Sequence, residues 1–190
     1  MDYEIVPFEI EFIEDIIRFT DIQIGKSYFT PEDLEKLHEY SIVNGINCSY
    51  VALHQGEIVG VRLTYAPGTN WPVLFRQNDL HFSKIKIDPL KIGYFKSLFI
   101  GKEHRGKGFG GTLSKRSIES MLQLNAKGVL AHSWKESPSD SSRKYLLKLG
   151  FKPIAEHKLF WSHLDYKCIR CGNPPCQCTA IEMFLQLSDS

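Results

Sequence analysis

Residues 105–110 read RGKGFG, and they join an apolar run, KSLFI at 96–100, to a segment whose Leu113, Ile118, Met121 and Leu122 recur at helical spacing. A strand that feeds a helix through so many glycines leaves few folds open. Residues 129–134 then return as a second strand, so the unit is βαβ, with parallel strands and a right-handed crossover. At such a loop the unpaired backbone N–H groups and the positive helix end form an anion site. Gly106, Gly108, Gly110 and Gly111 let a phosphate approach the backbone, while Arg105 and Lys107 add positive charge beside it. The combination favours a phosphate-bearing cofactor.

On the residues alone three readings stay open. Residues 101–107 fit GxxxxGK, but a P-loop needs Ser or Thr next to hold magnesium, and Gly108 stands there. Gly106, Gly108 and Gly111 fit GxGxxG, although a dinucleotide site starts closer to its strand and has an acid about 20 residues on, where Glu136 is a poor candidate. A glycine-rich turn before a helix with no ligand is the third.

The rest of the chain supplies an α/β frame. Residues 3–6 read as a strand closed by Pro7, and 8–19 as a helix. Thr30 caps a second helix, with Pro31 at its first position and Asp33 in its first turn, running to about Ile42. An antiparallel hairpin covers 49–53 and 58–65. Residues 66–94 carry Pro67, Gly68, Pro72, Pro89 and Gly93, and read either as a functional lid or as a surface loop with one packed Trp. Gly128 ends the helix after the glycine loop, and a last helix, about 141–149, stops at Gly150 with Phe151 making the apolar contact of such a cap. Residues 151–161 and 180–187 form a closing strand pair, and Cys48 reads as a small core residue.

Ile100, Arg105, Gly108 and Gly110 keep the spacing aliphatic-x4-Arg-x2-Gly-x-Gly, which resembles the signature of the GNAT acyltransferases. YVALHQGEIVGVRL at 50–63 is similar to that family's central hairpin, and SRKYLLKLGF at 142–151 to its final helix and turn. The resemblance implies a mixed central sheet flanked by helices, whose two parallel strands splay around acetyl-CoA. It sets Leu98, Phe99 and Ile100 along the pantetheine arm, Arg105, Gly106, Lys107, Gly108, Phe109, Gly110 and Gly111 at the pyrophosphate, and a backbone amide near Phe99 as oxyanion donor. It also implies direct attack by an amine, in a small molecule or a peptide, on the acetyl group. The family's usual Tyr acid falls on Leu146; Tyr145 is the neighbouring candidate, turned about 100° away on the helix. Asp88, His132 and Glu136 are the candidates for a base. The contrasting reading is an acyl-CoA binder, or a zinc-stabilised interaction module, that lost turnover with that Tyr.

Cys168, Cys171, Cys176 and Cys178 make CxxCxxxxCxC around the stiff turn Gly172–Asn173–Pro174–Pro175, so four thiolates converge on a structural zinc between the last two strands. Paired disulfides or free thiols are the alternative, the former opposed by cytosolic redox conditions, and an iron-sulfur cluster is a further one, though its usual spacings differ; His157 and His163 are spare ligands. Far from RGKGFG in sequence, the cluster is expected to leave cofactor affinity untouched. With 190 residues, 43% hydrophobic and a net charge of +1, the chain reads as one domain over 1–190 with no pull toward nucleic acid. The acidic start MDYEIVPFEIEF is unlike a signal peptide, and no run approaches the roughly 20 apolar residues of a membrane helix, so the expected place is the cytoplasm.

Overall fold

The computed structural model describes residues 3–187. They contain β1 (Tyr3–Pro7), α1 (Ile13–Gln23), α2 (Pro31–Ser41), β2 (Ile42–Val43), β3 (Ile46–Asn47), β4 (Tyr50–His54), β5 (Glu57–Tyr65), β6 (Ile92–Ile100), α3 (Phe109–Gln123), β7 (Gly128–Trp134), α4 (Ser141–Lys148), β8 (Lys152–His157) and β9 (Ala180–Gln186). Seven strands form one sheet in the order β1-β4-β5-β6-β7-β9-β8, and β2 and β3 form a hairpin apart. In the large sheet only β6 and β7 run parallel, as a βαβ unit requires.

Helices cover both faces. Against one, Ile16 of α1 and Leu34 and Leu37 of α2 pack on Val61, Leu63, Ile92 and Leu130. Against the other, Leu113 and Met121 of α3 and Leu146 of α4 meet Ala52, Phe95, Val129 and Ala131. Each fully buried aliphatic side chain contributes roughly 1.5–3 kcal/mol. The α2 start is the one the residues announce: the Thr30 hydroxyl accepts the Asp33 N–H at 3.2 Å, and the Asp33 carboxylate accepts the Thr30 N–H at 3.0 Å. Burial raises the Cys48 thiol to about 12, in keeping with a core residue.

Two glycines are misread as breakers from sequence. Gly93 lies inside β6, which begins at Ile92 rather than Lys96, because Met121 crosses it: a Cβ there would stand 2.5 Å from the Met121 sulfur. Gly128 starts β7 instead of ending α3, since a Cβ would stand 2.2 Å from the Phe184 ring. Asn125, at φ 59, makes the turn after α3. The end of α4 follows the expected cap, with Gly150 at φ 93 and the Phe151 N–H on the Leu146 carbonyl at 3.1 Å.

The connection 66–91 is anchored rather than free. Trp71 is fully buried, stacks on Tyr94 and donates its indole N–H to the Ile92 carbonyl at 2.8 Å. The excursion between β8 and β9, residues 158–179, docks on the link between α1 and α2, where the Ile169 N–H meets the Ile24 carbonyl at 3.2 Å. Gly25, at φ 132, permits this approach; a Cβ would lie 1.8 Å from the Lys167 carbonyl oxygen. Among the described residues no helix is long and apolar enough to cross a membrane.

Candidate functional site

β6 and β7 pair from Ile92↔Gly128 to Phe95↔Ala131 and then part. The cause lies on the other edge of β6: Thr64 faces Phe95 but Leu63 faces Ser97, so Lys96 is an extra residue without a partner in β5. A bulge at the last parallel pair bends the strand away from β7. Beyond it, residues 96–100 keep β5 on one side and have no strand partner on the other among the described residues. The gap opens into a cavity of about 760 Å³.

At one end of the cavity stands the glycine loop. Gly108, at φ 89, is the N-cap of α3, and the first helical bond runs from the Thr112 N–H to its carbonyl at 3.1 Å. The N–H groups of Phe109, Gly110 and Gly111 therefore have no acceptor within the helix. A Cβ on Gly106, Gly108 or Gly111 would meet nothing within 4 Å, so the space over these amides is open. Gly110 is different: Leu98 Cδ2 would lie 3.2 Å from its Cβ, and packing of helix on sheet keeps it small. Of the residues expected here, Leu98, Phe99, Ile100, Arg105, Gly106, Gly108, Phe109, Gly110 and Gly111 line the cavity, whereas the exposed Lys107 does not. Arg105 folds back on the strand end, its Nε–H on the Ile100 carbonyl at 3.0 Å and its Nη2–H on Gln23 at 2.7 Å.

The wall carries three cations that sequence reasoning did not single out, Arg62, Lys96 and the exposed Lys148. Arg62, buried in β5, donates from Nε and Nη2 to Ser114 Oγ at 3.0 and 2.8 Å, with its guanidinium 4.1 Å from the centre of the Phe95 ring. Burial lowers its pKa, but a guanidinium stays charged. The signal was a lone charge in the apolar run IVGVRLTY. Lys96, at the bulge, sits over the Tyr28 ring; burial opposes its charge, yet Tyr28, Tyr65 and Asp33 outweigh it and hold its pKa above the ordinary value.

The expected acid and base candidates are engaged elsewhere. Tyr145 lies on the cavity wall, but its hydroxyl bonds the Gly110 carbonyl at 2.7 Å and Ser114 Oγ at 2.6 Å. His132, also on the wall, donates its Nε2–H to the Asp79 carbonyl at 2.9 Å, which leaves Nδ1 to accept the Tyr94 hydroxyl at 3.0 Å. Burial and then the neighbouring His157 push its pKa down to about 3, so it is a neutral imidazole with no free lone pair. The Glu136 carboxylate accepts the Thr179 N–H at 2.9 Å, and the exposed Asp88 caps the turn ahead of β6, at the end remote from the gap. No carboxylate is among the residues lining the cavity.

The four clustered cysteines back the opposite wall. Their sulfurs all lie within 4.8 Å of one another, with Cys171 at 3.4 Å from Cys178 and 4.0 Å from Cys176. Thiolates about 2.3 Å from a common ion stand roughly 3.8 Å apart in a tetrahedron, so the donor set fits zinc. Trp134 packs in the same cluster, and its buried indole N–H, which makes no hydrogen bond of normal geometry among the described residues, approaches Cys178 as a donor suited to a metal-bound thiolate. His157 and His163 stand outside the set. Tyr166, whose hydroxyl donates to Cys176 at 3.3 Å, lines the cavity together with Trp161 and Ile169. Remote from the glycine loop in sequence, the cluster supports residues on the loop's cavity, although none of the four cysteines lines it.

The profile of the Acetyltransferase (GNAT) family matches residues 14–151. The chain belongs to this family. Comparison with curated proteins finds no match. Among solved structures, Ard1 from Thermoplasma volcanium superposes with a TM-score of 0.70 at 14% identity, covering 100% of both chains. Arabidopsis thaliana Naa50, solved with the bisubstrate analogue CoA-Ac-MVNAL, gives 0.65 at 12%, covering 98% of this chain and 100% of that one. A Drosophila melanogaster polyamine N-acetyltransferase gives 0.65 at 16%, again over 98% and 100%. At these identities the likeness speaks for the GNAT fold, and the splayed parallel pair is the feature of that fold which the sequence resemblance implied.

Two substitutions test this geometry. Gly108→Asp puts a carboxylate into the open space over the α3 amides, and calorimetry is expected to show acetyl-CoA binding lost while thermal unfolding stays cooperative; unchanged affinity would take the loop out of the ligand site. Tyr145→Phe removes a tie between α4 and α3, so stability should fall by about 1–2 kcal/mol, roughly 2–8 °C in Tm, with turnover reduced less than about tenfold. A loss of about 100-fold at constant acetyl-CoA affinity would instead make that hydroxyl the acid.

Proposed function

We propose that this GNAT protein is an N-acetyltransferase that moves the acetyl group of acetyl-CoA to an amine. The observation that carries the reading is the gap beyond Phe95 and Ala131, which runs along the unpaired edge of β6 and ends on the open amides of α3. A thioester with a long polar arm and a pyrophosphate suits such a groove: amides of 96–100 pair with the arm, and those of 109–111 take the phosphates, helped by Arg105. The structural relative solved with a CoA-peptide analogue supports this choice of donor.

A side chamber of about 240 Å³ adjoins the cavity and shares Tyr28, Lys96 and Trp161 with it. We assign it to the acceptor. The amine attacks the thioester carbonyl carbon; the C–N bond forms as the C–S bond breaks, the thiolate departs, and the amine's surplus proton passes to Asp33 or to solvent. The large cavity has no carboxylate on its wall; the chamber has two, Asp79, which is held by Arg76, and Asp33, which can take the amine's proton. Beside them Lys96 does two things by charge. It lowers the pKa of a nearby ammonium, favouring the neutral nucleophile, and it stabilises the negative charge that grows on oxygen and sulfur. Apolar Leu146 replaces the family's acid, so water protonates the thiolate. The relatives' acceptors, a peptide in one case and a polyamine in another, differ too widely to choose between a peptide and a small amine.

Thiol release from acetyl-CoA with a panel of peptide and small-molecule amines tests the reading. At least one amine should give turnover above solvent hydrolysis, and Lys96→Met should cut kcat by about 10–100-fold while acetyl-CoA affinity changes less than about threefold. Binding without turnover across the panel would favour a non-catalytic acyl-CoA binder.

We further propose that Cys168, Cys171, Cys176 and Cys178 hold one structural zinc. Elemental analysis of protein purified without chelator or affinity metal should find it, and Cys171→Ser should lower Tm and raise the acceptor KM, because the cluster supports Tyr166 and Trp161 on the cavity wall. Two disulfides by mass, or metal-free protein with titratable thiols, would remove the zinc.

A further inference from the structure

On the face of the sheet away from α3, three segments meet at one carboxylate. Glu182 of β9 has a side chain with 0% exposure, and its ion-pair partners are both imidazoles. His81, from the connection 66–91, sets Nδ1 at 2.7 Å from Glu182 Oε2 and donates its backbone N–H to Oε1 at 2.8 Å. His157, the last residue of β8, sets Nε2 at 3.0 Å from the same Oε2. The ligand atoms of the three residues all lie within 4.8 Å of one another.

A buried carboxylate needs compensation, and one donor on each oxygen would supply hydrogen bonds. Here two imidazoles from separate segments converge on a single oxygen. Ligands about 2.0–2.2 Å from a common ion stand roughly 3–3.6 Å apart, so the two nitrogen–oxygen separations lie within a few tenths of an ångström of a coordinated set. The other carboxylate oxygen is already fixed by a backbone N–H, the kind of outer contact that orients a metal-binding carboxylate. Access is one-sided: the His157 side chain is 9% exposed and that of His81 33%, so a fourth position opens beside His81.

We infer that His81, His157 and Glu182 form a second metal site, separate from the cysteine cluster, for a borderline divalent ion of the zinc class. Two imidazole nitrogens and one carboxylate oxygen suit zinc, cobalt(II) or nickel(II) and leave a position for water. An ion there ties the connection 66–91 to the last two strands. Because Asp79 in that connection holds His132 on the cavity wall, the ion would also stiffen the acceptor side.

Titration of the purified full-length chain with Zn2+ decides it by difference. Wild type should take up one equivalent more than His81→Ala, whatever the cysteine cluster holds, and added Zn2+ should raise Tm in wild type but not through this site in the variant. Cobalt(II) at this extra site should lack the sulfur-to-metal charge-transfer bands that thiolate ligands give. Glu182→Gln should lose the same equivalent; if it does not fold, His81→Ala, which alters a partly exposed residue, still decides. Equal uptake by wild type and His81→Ala, or charge-transfer bands for the extra equivalent, would overturn the site.

Discussion

One residue without a partner shapes the molecule. Lys96 is inserted into β6 where its neighbours Phe95 and Ser97 face Thr64 and Leu63, and the sheet cannot stay parallel across it. Strand edges are normally satisfied by pairing or covered, since unpaired N–H and C=O groups invite another chain. Here the unpaired edge is kept and enclosed. The glycine loop closes one end of the gap, α4 flanks it, and the cysteine excursion with the α1–α2 link walls the side opposite. What would be an aggregation liability on a surface becomes a slot for an extended polar ligand.

The slot holds its shape through contacts that cross layers. Arg62 of β5 reaches Ser114 of α3, Ser114 bonds Tyr145 of α4, and Tyr145 bonds Gly110 at the α3 start. This chain joins the sheet, both helices and the amides over which an anion would sit, so small motions of α4 are felt at the loop. It also engages the phenol beside the family's acid position, whose hydroxyl bonds the Gly110 carbonyl and Ser114. The charge left facing the slot comes from Arg62, Lys96, Arg105 and Lys148, a field that favours anionic ligands and developing negative charge.

How much of this could be read from the residues follows from where the information sits. The glycine loop was legible because its chemistry lies in consecutive residues, and the Thr30–Pro31–Asp33 cap and the Gly150–Phe151 stop were legible for the same reason. The bulge was not, since Lys96 carries no glycine or proline to announce it and exists only as a mismatch between two strands. Gly93 and Gly128 misled because their smallness serves Met121 and Phe184, neighbours that no local pattern reveals. Arg62 was visible as an odd charge in an apolar strand, but its purpose depends on Ser114, a partner from another layer.

The cysteine cluster shows the same limit with a functional consequence. Its ligand spacing is local, and so is the reading of a metal knuckle; its place is not. The Gly25 notch lets the knuckle's backbone press against the end of α1, so Tyr166, Trp161 and Ile169 are delivered to the cavity that RGKGFG opens from the far side. A loop of this length with little regular structure gains little from its own hydrophobic contacts, and closing it costs entropy that a metal bound only in the folded state would offset. The wall it forms is then only as firm as the cluster that holds it. Sequence distance separates the cysteines from the glycine loop, but the fold brings the cysteines' neighbours Trp161, Tyr166 and Ile169 onto the same cavity as that loop.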